Sequence, residues 1–201
     1  VAEHESKRKS EFDTLQSQIN PHFLYNTLDI IVWMIENEQK QEAVKVVTAL
    51  ARFFRISLSR GKSIIPVKDE LEHVRNYLMI QQMRFKNKFV YQIEAEPEVL
   101  SLASLKLMLQ PLVENAVRYG LEENTDRCLI EILAETDHEN ESLYVYIKNN
   151  GSSFEENLLE KLKTHEVEPH GFGIGLLNIQ NRMQITFGEA YGIELYNEGE
   201  L

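Results

Sequence analysis

The sequence predicts an α+β chain in two parts: a helical hairpin, then a unit of mixed sheet and helix. Three observations carry this. Up to residues 86–88 the apolar residues recur at helical spacing. From residue 88 onward, short alternating runs interleave with helical stretches. Breakers at Gly61, Pro66 and Asn149–Ser153 punctuate the chain where the pattern changes. The expected organisation is a dimerising hairpin over 1–65, a linking helix over 66–87 and a second domain over 88–201.

Residues 1–20 are polar, with Phe12, Leu15 and Ile19 as sparse apolar points, and read as a helix entering from an upstream element. Pro21 cannot donate to the Ser17 carbonyl, so a kink or local opening is expected there. After it, Phe23, Thr27, Ile31 and Ile35, with Leu24, Leu28 and Val32, mark an apolar face. His22, Asn26 and Asp29 follow at i, i+4 and i+7 on a polar one. A second helix over about 40–59 carries Ala43, Val47, Leu50, Phe54 and Leu58. The connection is short, so the two helices should pack antiparallel. Two helices cannot bury their faces alone, and a second copy completing a four-helix bundle is expected. Pro66, Asp69 and Glu70 signal a third helix over about 67–85, with Leu71, Val74 and Leu78 inward.

Phe89–Glu94 alternates as a strand. Residues 104–120 form a helix whose stripe is Leu105, Leu109, Leu112, Val113 and Ala116, closed by Gly120 as C-cap. Residues 128–135 and 142–148 read as an antiparallel pair, and Asn149–Ser153 as a turn. An amphipathic piece over Phe154–Leu162 leads to a mobile stretch, Thr164–His170. Gly171-Phe-Gly-Ile-Gly opens a helix carrying Leu176, Leu177, Ile179, Met183 and Phe187. A last strand is expected over Tyr191–Tyr196.

A net charge of −11 argues against a nucleic-acid backbone or an anionic membrane as partner. The single cysteine, Cys128, excludes an internal disulfide framework, fits a reducing compartment and reads as a small buried residue. No apolar run approaches the roughly 18 residues of a membrane span, and no secretory signal opens the chain. It begins with Val1 inside a charged segment and reads as a piece of something longer.

Four features point to chemistry. His22 lies beside a helix-kinking proline at the edge of a packed face, where a neutral imidazole is a competent nucleophile. The plainer alternative is a satisfied core or surface histidine. Glu114 and Asn115 point about 100° apart on one helix. They reach different targets, one a proton or water, the other a metal or phosphate oxygen. Asn149-Asn150-Gly151 follows a strand. Gly171, Gly173 and Gly175 can offer backbone N–H groups and a helix N-terminus to phosphates. Leu176 stands at the third glycine of a dinucleotide fingerprint, and no Gly-Lys-Ser/Thr follows, so neither a Rossmann site nor a P-loop fits. His73, His165 and His170 have no spacing suited to a structural zinc.

Taken together and in this order, these features resemble the LytS/YesM-like sensor histidine kinases of two-component systems. Asn20-Pro21-His22-Phe23-Leu24-Tyr25-Asn26-Thr27-Leu28 is similar to that family's phosphoacceptor motif, and Pro111–Gly120 to its N box. Asn149-Asn150-Gly151 and Gly171–Met183 resemble its two glycine boxes, and Tyr77–Phe85 its linking helix. The resemblance implies that the second part is an ATP-binding α/β two-layer sandwich, with a mixed, mostly antiparallel sheet, of the type shared with gyrase and Hsp90. The family has one more strand after the one matching Tyr191–Tyr196, which Asn197–Leu201 is too short to supply. His22 would accept the γ-phosphoryl group of ATP and pass it to an aspartate on a response regulator receiver domain. It implies Asn115 as a Mg²⁺ ligand, Glu114 polarising a water or the histidine, and Arg118 on phosphate. Tyr119, Asn149, Gly151, Gly171, Gly173, Gly175 and Leu176 would line the nucleotide site, with 155–170 as an ATP lid. Asn26 would serve a phosphatase reaction by holding a water. The implied protein is a homodimer and the cytoplasmic portion of an integral membrane protein whose spans lie upstream.

Two positions depart from the family pattern. Asn149 stands where an aspartate accepts from the adenine amino group, and Ser153 where a glycine is common. An uncharged amide accepts less strongly, so weaker nucleotide binding is expected. A non-catalytic nucleotide-binding or scaffold domain is the alternative these residues keep open. A chaperone or topoisomerase ATPase of the same sandwich has no use for the His22 motif.

Overall fold

A computed structural model describes residues 21–58, 63–86, 88–122, 128–139, 141–167 and 172–198. The helix read over 1–20, the kink before Pro21, and Gly61, His170 and Gly171 lie outside the described residues. The chain divides into two compact units, Val1–Lys62 with Glu72–Asn87, and Ser63–Leu71 with Lys88–Leu201. The division falls inside a helix, between Leu71 and Glu72.

In the helical unit, α1 (Pro21–Glu36) and α2 (Lys40–Ser57) pack against each other as a hairpin. The inner face of α1 is Phe23, Thr27, Ile31 and Met34; that of α2 is Ala43, Val46, Ala49, Leu50, Phe53 and Ser57. Helix α3 (Val67–Arg84) lies against this hairpin from Glu72 onward. Phe53 stacks on His73 at 4.2 Å between ring centroids, and Phe23 meets Tyr77 at 5.2 Å. Ser57 Oγ donates to the Phe53 carbonyl and lies 2.8 Å from His73 Nε2. A helix of the same chain therefore covers one face of the hairpin.

That face is one residue out of phase with the expected stripe on α2. Val46 and Phe53 are buried, whereas Val47 and Leu58 are exposed and Phe54 half-buried. On α1, Leu28, Val32 and Ile35 are likewise exposed. The reason is that both helices are apolar on two sides. Tyr25, Leu28, Val32 and Ile35 repeat at i, i+3, i+7 and i+10, and so do Val44, Val47, Ala51 and Phe54, which is heptad spacing.

The sandwich unit opens with β1 (Ile64–Pro66), paired antiparallel to β3 (Ala103–Leu105). The main sheet has the order β2 (Phe89–Ala95), β4 (Cys128–Asp137), β5 (Ser142–Asn149). β2 and β4 run parallel, with Phe89 opposite Cys128, while β4 and β5 run antiparallel, with Ile132 opposite Ile147. The parallel pair requires a crossover. It contains a 3₁₀ turn (Pro97–Ser101), β3 and helix α4 (Leu109–Glu122). Cys128, Ile130, Ile132 and Ala134 alternate as the buried face of β4, and α4 packs on this sheet and on α6 (Phe172–Phe187). A short α5 (Leu158–Lys163) also packs on α6.

The structure corrects three sequence expectations. The helix expected from Ser104 begins at Leu109, because 103–105 pair as a strand and the chain then turns through Leu107 at φ 58°. Gly120 is not a C-cap: the helix continues to Glu122, and a Cβ at 120 would collide with the Cys128 sulfur. Glycine is there for close packing. The last strand expected over Tyr191–Tyr196 is irregular. Side chains hold it in place of a ladder. Gln180 Oε1 accepts from Ile193 N at 2.7 Å, and the Asn197 amide exchanges two 2.9 Å bonds with the Phe154 backbone.

Candidate functional site

In the sandwich unit, α4 presents the Glu-Asn pair. Pro111 stands in its first turn, where a missing N–H costs no helical bond. Asn115, half-buried one turn on, donates from Nδ2 to the Pro111 carbonyl at 2.5 Å. The donor end of the amide is thus committed to the helix, leaving the oxygen end, a donor type that suits a hard cation. Glu114 Oε1 accepts from Gln110 Nε2 at 2.8 Å, and burial pushes its carboxyl above the ordinary range despite that bond. Arg118 is exposed, its guanidinium 5.0 Å from the Tyr119 ring centroid.

The register places Asn149 opposite Ile130, on the sheet face toward α4. Its Nδ2 is buried without a hydrogen-bond partner among the described residues. Gly151 comes close to the same helix: a Cβ there would stand 2.7 Å from the Tyr119 carbonyl and 2.8 Å from Asn149 Nδ2. Tyr119, Asn149 and Gly151 are therefore gathered at one place. The glycine motif is brought in by α6. Gly173 and Gly175 lie within the first turn of that helix rather than in a loop before it, and the N–H of Gly173, at the second helical position, has no intrahelical acceptor. Gly175 approaches Pro111: a Cβ added at 175 would lie 3.8 Å from the Pro111 Cβ. Leu176 is fully buried.

His22 lies in the other unit. It is exposed on α1, and Asn26 Nδ2 sits 3.0 Å from its Nδ1 and 3.2 Å from its Nε2. Whichever ring nitrogen carries no proton can accept from that amide.

One residue escapes the sequence reading. The sequence offers Glu70 only as a helix-start signal for α3, yet it is fully buried. Its Oε1 accepts from Leu107 N at 2.5 Å, and its Oε2 from Met108 N and Leu109 N at 3.0 and 3.1 Å. It caps the N-terminus of α4 from 37 to 39 residues away, a separation at which no local capping signal exists.

An exposed histidine on a helical hairpin, with a Glu-Asn helix and a glycine-led helix over a sheet, fits the histidine kinase class, and the family model described as Histidine kinase matches residues 10–89. Sensor histidine kinase YesM of Bacillus subtilis is 37% identical over 96% of this chain and 32% of its own length. Sensor protein LytS of Oceanobacillus iheyensis is 33% identical over 94% of this chain and 33% of its own. Sensor histidine kinase BtsS of Escherichia coli K12 is 32% identical over 93% and 31%. The chain is thus similar to the histidine kinase family over residues 10–89, and to LytS/YesM-like sensor proteins over nearly its whole length. It spans about a third of the length of these curated relatives.

Proposed function

We propose that the chain is the kinase core of a two-component sensor histidine kinase, a protein-histidine phosphotransferase that uses MgATP. The observation that carries this reading is the presence in one chain of an exposed, Asn26-contacted His22 and of a helix, α4, that bears Asn115 and is approached by Gly151 at Tyr119 and by Gly175 at Pro111. An imidazole nitrogen of His22 attacks the γ-phosphorus, the bond to the β–γ bridging oxygen breaks, and ADP leaves. An aspartate of a receiver domain then takes the phosphoryl group as the P–N bond breaks. Such transfer depends on positioning and charge neutralisation.

The donor set fits the reactants. Asn115 offers a side-chain oxygen to Mg²⁺, which when bound neutralises phosphate charge. The N–H group of Gly173, with Gly171 before it, receives phosphate oxygens, Gly175 keeps the backbone bare beside them, and Arg118 lies one turn from Asn115 to add positive charge. Glu114, its carboxyl pushed up by burial, can take the imidazole proton or order a water. Tyr119, Asn149, Gly151 and Leu176 form the base-side wall, and 155–170 the lid. Asn26, in contact with the His22 ring, holds the hydrolytic water in dephosphorylation of the regulator. The heptad-spaced outer faces of α1 and α2 are the surface on which a second copy completes a four-helix bundle. The upstream part of the protein anchors this portion at the cytoplasmic side of a membrane.

The second reading is a nucleotide-binding scaffold. Asn149 supports it, because its buried Nδ2 is a donor where an adenine amino group needs an acceptor. Incubation with γ-labelled ATP and Mg²⁺ separates the two. Acid-labile label on the wild type, absent from His22→Gln and Asn115→Ala, supports the kinase. Nucleotide bound without label supports the scaffold, and label retained by His22→Gln removes the phosphoacceptor role. An Asn26→Ala chain that dephosphorylates the regulator at the wild-type rate removes the water-holding role.

A further inference from the structure

Three elements meet at the turn Lys106–Met108, which leads into α4. Glu70, from the first turn of α3, receives the N–H groups of Leu107, Met108 and Leu109. Arg182, from α6, donates to the Lys106 carbonyl at 2.7 Å. Ser63, just before β1, accepts from Lys106 N at 2.9 Å. Leu107 holds φ at 58°, a conformation a leucine adopts only when its surroundings impose it. The turn is thus fixed by side chains on both of its flanks, and the helices it joins through them carry Glu114–Asn115 and Gly173–Gly175.

We propose that Glu70 is a positioning residue for the nucleotide site and the point where the linking helix acts on it. A carboxylate whose two oxygens serve three backbone donors has a single stable placement, so the start of α4 follows the first turn of α3. Glu70 stands two residues before the division between the two units, in the helix that belongs to both. Rotation or shift of that helix moves the carboxylate, the turn and Asn115 with it. The inference rests on the nucleotide-site reading of α4 and α6.

The test is MgATP affinity of this chain, measured by displacement of a fluorescent ATP analogue, in the wild type, Glu70→Gln and Glu70→Ala. Affinity should fall by about tenfold or more in Glu70→Ala, with Glu70→Gln between the two because one acceptor oxygen remains. Amide exchange gives the second readout. Leu107, Met108 and Leu109 should lose protection in both variants, and in the wild type should gain it when MgATP binds. A purely structural cap predicts a lower melting midpoint with unchanged affinity in the folded protein and no nucleotide response at these amides. That result, read on Glu70→Gln if the alanine variant does not fold, overturns the inference and leaves the nucleotide site standing. A wild type that takes up no MgATP overturns both.

Discussion

Along α1 the helical unit turns Tyr25, Leu28, Val32 and Ile35 toward solvent in one heptad-spaced line. The exposed large apolar residues of α6 in the sandwich unit, Ile174, Ile185 and Phe187, make no such line, because the polar Asn178 and Asn181 stand between the first two. The sandwich unit instead seals a carboxylate, Glu70, inside a set of backbone donors. A sheet with helices on it closes its own core and can then give internal space to polar groups that fix a site. A hairpin backed by one helix has an apolar face left over, the face on which the proposed second copy would pack. On that proposal, the difference separates a unit built for geometry from one built for association.

The largest effect should come from the helical unit's own core. Phe53 meets Phe23, Tyr77 and His73, so Phe53→Ala should cost about 3–5 kcal/mol in thermal or denaturant unfolding of that unit. Nucleotide binding by the sandwich unit should survive it; joint loss would show that the two do not fold separately. Val32→Asp on the outer line should leave the fold intact yet weaken self-association by about 100-fold or more, roughly 2.7 kcal/mol, in sedimentation measurements. An unchanged mass distribution would take the second copy off this face.

Within the sandwich unit, two glycines make a contrast. Gly151→Ala should cost about 1–3 kcal/mol, because the obstructing Tyr119 carbonyl is backbone and cannot rotate away. Gly175→Ala meets only an ordinary 3.8 Å contact, and should leave the melting midpoint within about 1 kcal/mol of wild type while weakening nucleotide binding. Equal melting shifts would erase the distinction. The smallest effect concerns Glu114. Burial raises its carboxyl pKa, so the folded state holds the proton more tightly than the unfolded one. The stability this gives is full below the ordinary value of 4.5 and is lost as pH rises through the raised value. The melting midpoint of Glu114→Gln should therefore gain on wild type as pH rises, and a gap independent of pH would contradict it.

Much of this is legible in the residues. Helical period locates α1 to α3, alternation locates β2, β4 and β5, and motif order points to the candidate site. What escapes has physical reasons. The stripe of α2 falls one residue from its expected phase because two adjacent faces are both apolar, and period alone cannot say which one turns inward. The start of α4 lies later than its apolar pattern suggests because its cap, Glu70, is 37 to 39 residues away. Gly120 looks like a terminator because the sulfur it must avoid comes from another strand. Tyr191–Tyr196 alternates like a strand, but the Gln180 side chain takes the Ile193 N–H that a ladder would have used.

If one unit supplies the phosphoryl donor and the other the accepting imidazole, the modified residue is the most direct witness. The measurement is to incubate the chain with MgATP and map that residue by mass spectrometry under non-acidic conditions. The expected result is a phosphoryl group on His22 alone, absent from Asn115→Ala. A phosphoryl group on any other residue, or one on His22 that persists in Asn115→Ala, would contradict it.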